Sequence, residues 1–393
     1  MSEQADQKRP SLEIADIFRD YGHLLGPLGP DQAKVVSDIQ NCRTSVLGGH
    51  ISQCQDCSHK EISYNSCRNR HCPKCQFLAK IDWVEARTND LLPCQYFHCV
   101  FTLPHELNPI ILQNKEIVFN ILFRAVAATL KEAAKNPKNL GAEVGFTSVL
   151  HTWSQNLLDH FHLHVIIPGG GLSEKRDKWI SCREKFLLPV KVLSKLFRGK
   201  FLALFKKAFD EFKFIGRCEV YQNFSSFNDL ISSAYDKQWV VYAKPPFSGP
   251  EDVIKYLGSY THRIAISNYR LVKVEDNKVH FFYRDAHKKD EKKTMSLEIK
   301  EFMRRFLLHV VPKGFMRIRH YGILSGRSKG KLIKLCRELI PEPIDYKVFK
   351  KIESENWIEK MIRVTGHDPL LCPSCKKGQM IPIAEIKSHW DTS

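Results

Sequence analysis

The 393-residue chain has no apolar run near the roughly 18 residues that a membrane-spanning helix needs. Its opening stretch, MSEQADQKRP, lacks the apolar core of a secretory signal. A cytoplasmic protein with no membrane partner is therefore expected. No G-x-x-x-x-G-K-S/T loop occurs, which argues against a helicase motor within the chain. Acidic residues are in deficit: 43 Asp and Glu stand against 60 Lys and Arg, for a formal charge of +17. That imbalance points to a polyanion, most simply nucleic acid. The excess is spread along the chain, which suits an extended groove better than a basic tail.

Cysteine is abundant, with 13 in all, and without an export signal these are not expected to form disulfides. Six fall before residue 76. Cys54-x-x-Cys57 and Cys72-x-x-Cys75 read as two knuckles of one tetrahedral zinc site in a small domain over residues 49–80. Cys67 and His71 are surplus donors that could replace a knuckle cysteine or form a second site. Arg68, Arg70 and Lys74 lie inside the ligand loop, where a rigid frame can present them to phosphates. Residues 1–48 read as a helical lead-in with no visible chemistry. Cys372-x-x-Cys375, within the C-terminal region 327–393, is half a metal site with no obvious second half.

The stretch LHTWSQNLLDHFHLHVIIPGGG, residues 150–171, carries the strongest chemical signal. His160, His162 and His164 alternate with Phe161, Leu163 and Val165, so a strand puts three imidazoles on one face and apolar residues on the other. Residues 144–153 predict a neighbouring strand, antiparallel across a short link. Residues 94–108 predict another strand, 109–136 a helix, and 172–245 an insertion. The insertion contains a basic amphipathic helix over 190–212, whose apolar face is expected to cover a core, and a short strand pair near 216–221 and 239–243. Strands over 264–274 and 278–284 are expected to turn near Asp276–Asn277, ahead of a helix over 297–309.

In GPEDVIKYLGSYTHRIAISNYRL, Tyr256 and Tyr260 are four apart and share one face of a predicted helix. A metal on His162 and His164 can act as a Lewis acid on a phosphodiester, and a phenol of ordinary pKa near 10 needs such help to attack at neutral pH. Tyrosine attack stores the cleaved linkage as a phosphotyrosine. Two tyrosines on one face let one hold a strand end while the other cuts again.

His162-Leu163-His164 followed by Val165-Ile166-Ile167, with the tyrosine pair after it, fits the HUH signature. Together with NSCRNRHCPKCQ, FTLPHELN, LHTWSQNL, PGGGL, YLGSYTHRIAISNYR and GFMRIRHYGIL, the chain resembles bacterial rolling-circle transposases of the insertion-sequence-91 family over about residues 20–325. The resemblance implies an α+β fold: an HUH nuclease core over 93–326, with an antiparallel sheet flanked by helices, behind a small N-terminal zinc-binding domain. It implies cleavage of single-stranded DNA at element ends and target site, through 5′-phosphotyrosine intermediates. His162 and His164 become ligands of a catalytic magnesium or manganese ion, with Gln155 as third ligand and His160 as its alternative. Tyr256 and Tyr260 become the nucleophiles. Arg263, Arg317 and Arg319 join Arg68, Arg70 and Lys74 as DNA contacts, and a host helicase is an expected partner. The setting is then the bacterial cytoplasm, on the nucleoid when DNA is bound.

Other readings share parts of this pattern. A plasmid replication initiator or relaxase would use the same chemistry on a different target. A histidine-triad nucleotidyl hydrolase would use the middle imidazole as nucleophile. A non-catalytic, zinc-dependent DNA-binding protein would leave both the histidine and tyrosine pairs structural.

Overall fold

The structure, a computed structural model, describes residues 11–211, 213–216, 223–244, 247, 252, 253, 256, 258, 264–285, 291–344 and 355–389. It is a mixed α+β protein with antiparallel sheets, as expected. The chain divides into two compact units: residues 1–79, 264–310 and 350–393 form one, and residues 80–263 and 311–349 the other. Both units are discontinuous, whereas the sequence suggested consecutive domains.

The second unit is built on a five-stranded antiparallel sheet. Its strands are β1 (Tyr96–Thr102), β2 (Phe146–Trp153), β3 (Asp159–Pro168), β4 (Val241–Lys244) and β5 (Ile318–Tyr321), in the spatial order β5-β2-β3-β1-β4. Alternation along β1 and β3 sends Phe97, Cys99, Phe101, Phe161, Leu163, Val165 and Ile167 to one face, where all are buried in a single core. The helices Lys115–Lys135 and Val190–Asp210 supply much of the rest of that core. In the first, Val118, Phe119, Leu122 and Val126 recur at helical spacing, and in the second Leu193, Phe197, Phe201 and Phe205 do. The Phe197 and Phe101 rings meet edge to face with centroids 5.3 Å apart. The basic helix thus buries its apolar stripe, as its pattern predicts.

Val241–Lys244, the described half of the expected strand pair, joins the five-stranded sheet. It lies along β1, with Phe101 opposite Val241 and His98 opposite Lys244, and so completes the edge of the sheet. Residues 217–222, the other half of the expected pair, lie outside the described residues. After β3, Gly170–Leu172 does not open into a loop but pairs with Trp179–Ser181. A Cβ on Gly170 would stand 2.6 Å from the Trp179 ring, so only glycine allows this approach.

In the first unit, helices Ile14–Tyr21 and Pro30–Asn41 pack with the segment 264–310. Phe18 and Phe306 meet edge to face at 5.5 Å, and the Asn268 Oδ1 accepts a hydrogen bond from the Ile14 N–H at 3.1 Å. That segment is a three-stranded sheet, Leu271–Glu275, Lys278–Asp285 and Glu291–Glu298, followed by helix Ile299–Leu308. Asp276 and Asn277, with φ of 49° and 57°, make the expected tight turn. The segment therefore belongs to the N-terminal helices, which explains the discontinuity. A second sheet, Gly49–Cys54 between Lys60–Tyr64 and Met380–Ile386, joins distant parts of the sequence.

Because Leu163 is fully buried on the face opposite the imidazoles, Leu163→Ala should lower unfolding free energy by about 2–5 kcal/mol in denaturant titration.

Candidate functional site

The imidazoles follow from strand register. In the β2–β3 pair His151 stands directly opposite His162 and Val149 opposite His164, and in β1–β3 Val100 faces His164. All of these project from the face away from the phenylalanine core. His151, His162 and His164 are buried, and each brings a ring nitrogen within 4.8 Å of the others. The Nε2 atoms of His162 and His164 are 3.1 Å apart. The other nitrogen of each is already engaged: His162 Nδ1 donates to the His160 carbonyl at 2.7 Å, and His164 Nδ1 lies 2.8 Å from His98 Nε2. Such outer partners fix the tautomer and orientation of an imidazole that ligates a metal.

His151 stands beside His162 and His164 as a third imidazole, while Gln155 lies in the turn beyond β2 and His160 is exposed and lends its backbone carbonyl to His162. The signal for His151 was present in LHTW: two paired strands with a short link bring it across from His162. His98, in YFHCVFT, was also missed. Its ring stacks on His164 with centroids 5.0 Å apart, and burial, with Lys244 nearby, pushes its pKa down to about 3. His98 is therefore a neutral imidazole with one donor and one acceptor.

Tyr256 is helical and half-buried. Its hydroxyl is 2.9 Å from His98 Nδ1 and 2.8 Å from His98 Nε2, and its ring lies 6.5 Å from that of His164. Phe247 packs on its other side at 5.2 Å. Gly258 on the same helix lies against Val84 so closely that a Cβ would approach within 2.8 Å. Tyr260 and Arg263 lie outside the described residues.

The cysteines regroup. Cys72 and Cys75 converge with Cys42 and Cys67, not with the first knuckle; Cys54 and Cys57 face Cys372 and Cys375. The reason is topological: Cys54 ends a strand that pairs with Met380–Ile386, which carries it to the C-terminal knuckle. Cys42 caps helix Pro30–Asn41 in the stretch that looked free of chemistry, and its Sγ is 3.4 Å from that of Cys75. Cys67 and Cys75 are 3.6 Å apart, and the Asn69 N–H points at the Cys67 sulfur at 3.5 Å. Contact with the Cys67 thiol lowers the Cys42 pKa to about 7, whereas contact with Cys42 pushes Cys67 up. Four sulfurs this close make a donor set suited to zinc. His71 is buried beside this group but is not one of the four.

The basic candidates differ among themselves. Arg68 is exposed with φ of 53°, and Arg70 is half-buried. Lys74 is ion-paired with Glu13. Arg317 gives its carbonyl to the Leu150 N–H at 2.8 Å. Arg319 stacks over Phe123 at 4.1 Å and donates to the Asn120 Oδ1 at 2.6 Å, so its side chain braces the fold.

Two family models match this chain. One described as "Transposase zinc-binding domain" covers residues 14–103, and one described as "Putative transposase" covers residues 145–331. A protein of Sinorhizobium fredii (strain NBRC 101917 / NGR234) named "Putative transposase y4qJ" is 45% identical over 401 residues, covering 98% of this chain and 100% of that one. The transposase for insertion sequence element IS801 of Pseudomonas savastanoi pv. phaseolicola is 28% identical, over 84% of this chain and 80% of its own. No solved structure matches. These relatives place the chain among DNA transposases. It belongs to the insertion-sequence-91 family, and the histidine-triad hydrolase reading gives way to that membership.

If His151 completes the metal site, His151→Ala should weaken manganese binding more than tenfold, on the order seen when metal-site partners are removed. Gln155→Ala should leave it unchanged. Calorimetric titration of both variants checks this, and the reverse ranking would return the third-ligand role to Gln155.

Proposed function

We propose that this transposase works by a rolling-circle mechanism, cleaving and rejoining single-stranded DNA at the ends of its element with Tyr256 as a nucleophile. The observation that carries the reading is the hydrogen-bonded series from His164 Nδ1 through His98 to the Tyr256 hydroxyl. With His164 Nε2 reserved for a metal, its Nδ1 carries the proton and donates to His98 Nε2. Neutral His98 then carries its own proton on Nδ1 and donates to the phenolic oxygen. A donor aimed at that oxygen favours the phenolate, the form that attacks.

In the proposed step the Tyr256 oxygen forms a bond to phosphorus and the bond from phosphorus to the 3′ oxygen breaks. The departing 3′ oxygen takes up the proton that the Tyr256 hydroxyl gives up, by way of solvent, leaving a 3′-hydroxyl and a 5′-phosphotyrosine. Attack by another 3′-hydroxyl reverses the step and rejoins the DNA. Tyr260, placed by its spacing alone, would hold or cut the second end. His151, His162 and His164 would hold a magnesium or manganese ion, which supplies Lewis-acid polarisation of the phosphate. Three imidazoles fit the transition ion better than magnesium. Cys42, Cys67, Cys72 and Cys75 would hold structural zinc, and Arg68 and Arg70 on the adjoining loop would meet the DNA backbone. A host helicase would supply the strand separation for which this chain has no motor.

The test is incubation with single-stranded oligonucleotides from the DNA flanking the gene, in either metal, followed by a denaturing gel. A covalent adduct is expected, and Tyr256→Phe combined with Tyr260→Phe should abolish it while binding persists. His98→Ala should slow adduct formation roughly 10- to 100-fold. Binding without adduct on both flanks would favour a non-catalytic DNA-binding protein. Cleavage confined to a replication origin would favour an initiator or relaxase.

A further inference from the structure

We infer that Cys54, Cys57, Cys372 and Cys375 form a second zinc site, one that makes the C-terminal segment an integral part of the zinc-binding domain. The matched domain ends at residue 103, so half of these ligands come from sequence outside it. The four sulfurs lie within 4.8 Å of one another. Cys54 is 3.7 Å from Cys375, and Cys57 is 3.7 Å from Cys372. These separations are far beyond a disulfide bond of about 2.05 Å and suit the edges of a thiolate tetrahedron.

Each knuckle aims an amide at one of its sulfurs: the Asp56 N–H points at Cys54, the first cysteine of its knuckle, and the Gly378 N–H at Cys375, the second of its own, each at 3.4 Å. Amide donors of this kind favour thiolate over thiol. Ser58 and Lys376, each following the second cysteine of its knuckle, have φ of 59° and 58°. Gly378 closes the arrangement, because a Cβ there would lie 2.5 Å from the Cys54 sulfur. Two independent turns thus deliver four thiolates to one point.

The surrounding packing explains why an ion is needed. Among the described residues, the local core is Cys54, Cys372 and Met380, with Cys375 against it. Strand Lys60–Tyr64 is exposed along its whole length, and Ile381 and Ile383 on the opposite edge strand are exposed as well. So small a core cannot hold three strands together, and a metal staple takes its place. Zinc suits a four-sulfur set.

Elemental analysis of the intact protein should give two zinc ions per chain. Cys372→Ser combined with Cys375→Ser should reduce this to one, and Cys42→Ser combined with Cys67→Ser should remove the other. The site is refuted if the C-terminal double variant keeps all the zinc of the parent. One ion in the parent, lost only on changing Cys42 and Cys67, also refutes it. One ion lost only on changing Cys372 and Cys375 would instead sustain it and overturn the Cys42 assignment. Should a variant fail to fold, cobalt titration of the unaltered chain decides the matter. Absorbance characteristic of tetrahedral thiolate coordination should rise to two equivalents, and saturation at one that is unchanged by the single substitution Cys375→Ser refutes the site.

Discussion

The antiparallel register between β2 and β3 is the constraint on which the site depends. It sets His151 across from His162, and the alternation within β3 sends every second residue to the opposite side. One strand therefore buries Phe161, Leu163 and Val165 in the core and presents His162 and His164 on the other face. A slip of one residue would exchange the two sets, bringing imidazoles into the phenylalanine core. The strong apolar driving force on one face is thus what fixes the geometry on the other. Beside it, β1 adds His98 on the same face, where the buried ring spans the gap between His164 and Tyr256.

The two units solve the problem of stability differently. The sheet of the second unit carries a large core of aromatic and aliphatic side chains and needs no ion to hold it. In the first unit, helices Ile14–Tyr21, Pro30–Asn41 and Ile299–Leu308 bury apolar side chains of their own, among them Ile17, Phe18, Val35, Ile39, Phe302 and Phe306. Its cysteine-bearing strands have almost no core, and there the sulfur clusters stand in for it. Cys54, Cys57, Cys372 and Cys375 therefore stand where hydrophobic burial falls short.

Much of the histidine-bearing sheet was legible in the sequence, because alternation and helical periodicity are local patterns. HFHLHVII gave its strand and its two faces directly, and VKVLSKLFRGKFLALF its half-buried helix. What was not legible is pairing across long separations. Nothing local in Val241–Lys244 says that it will lie beside Tyr96–Thr102. In the same way, Cys-x-x-Cys motifs announce metal chemistry but not their partners: Cys54 and Cys57 looked matched to Cys72 and Cys75, and a strand from the far end of the sequence decided otherwise. Cys42 escaped notice because a lone cysteine at the end of a helix carries no pattern. His98 escaped because a single histidine in an aromatic strand reads as ordinary core.

The pairing of Gly49–Cys54 with Met380–Ile386 also has a consequence in time. A ribosome makes Cys54 and Cys57 early, yet the strand and knuckle that complete their sheet emerge only after residue 386 has been added. The sheet built on β1 to β5 has all its strands once residue 321 is made. Folding during synthesis would therefore finish the histidine-bearing unit first and the sulfur-rich unit last. In the interval the early cysteines are half of a ligand set, open to other metals and to oxidation.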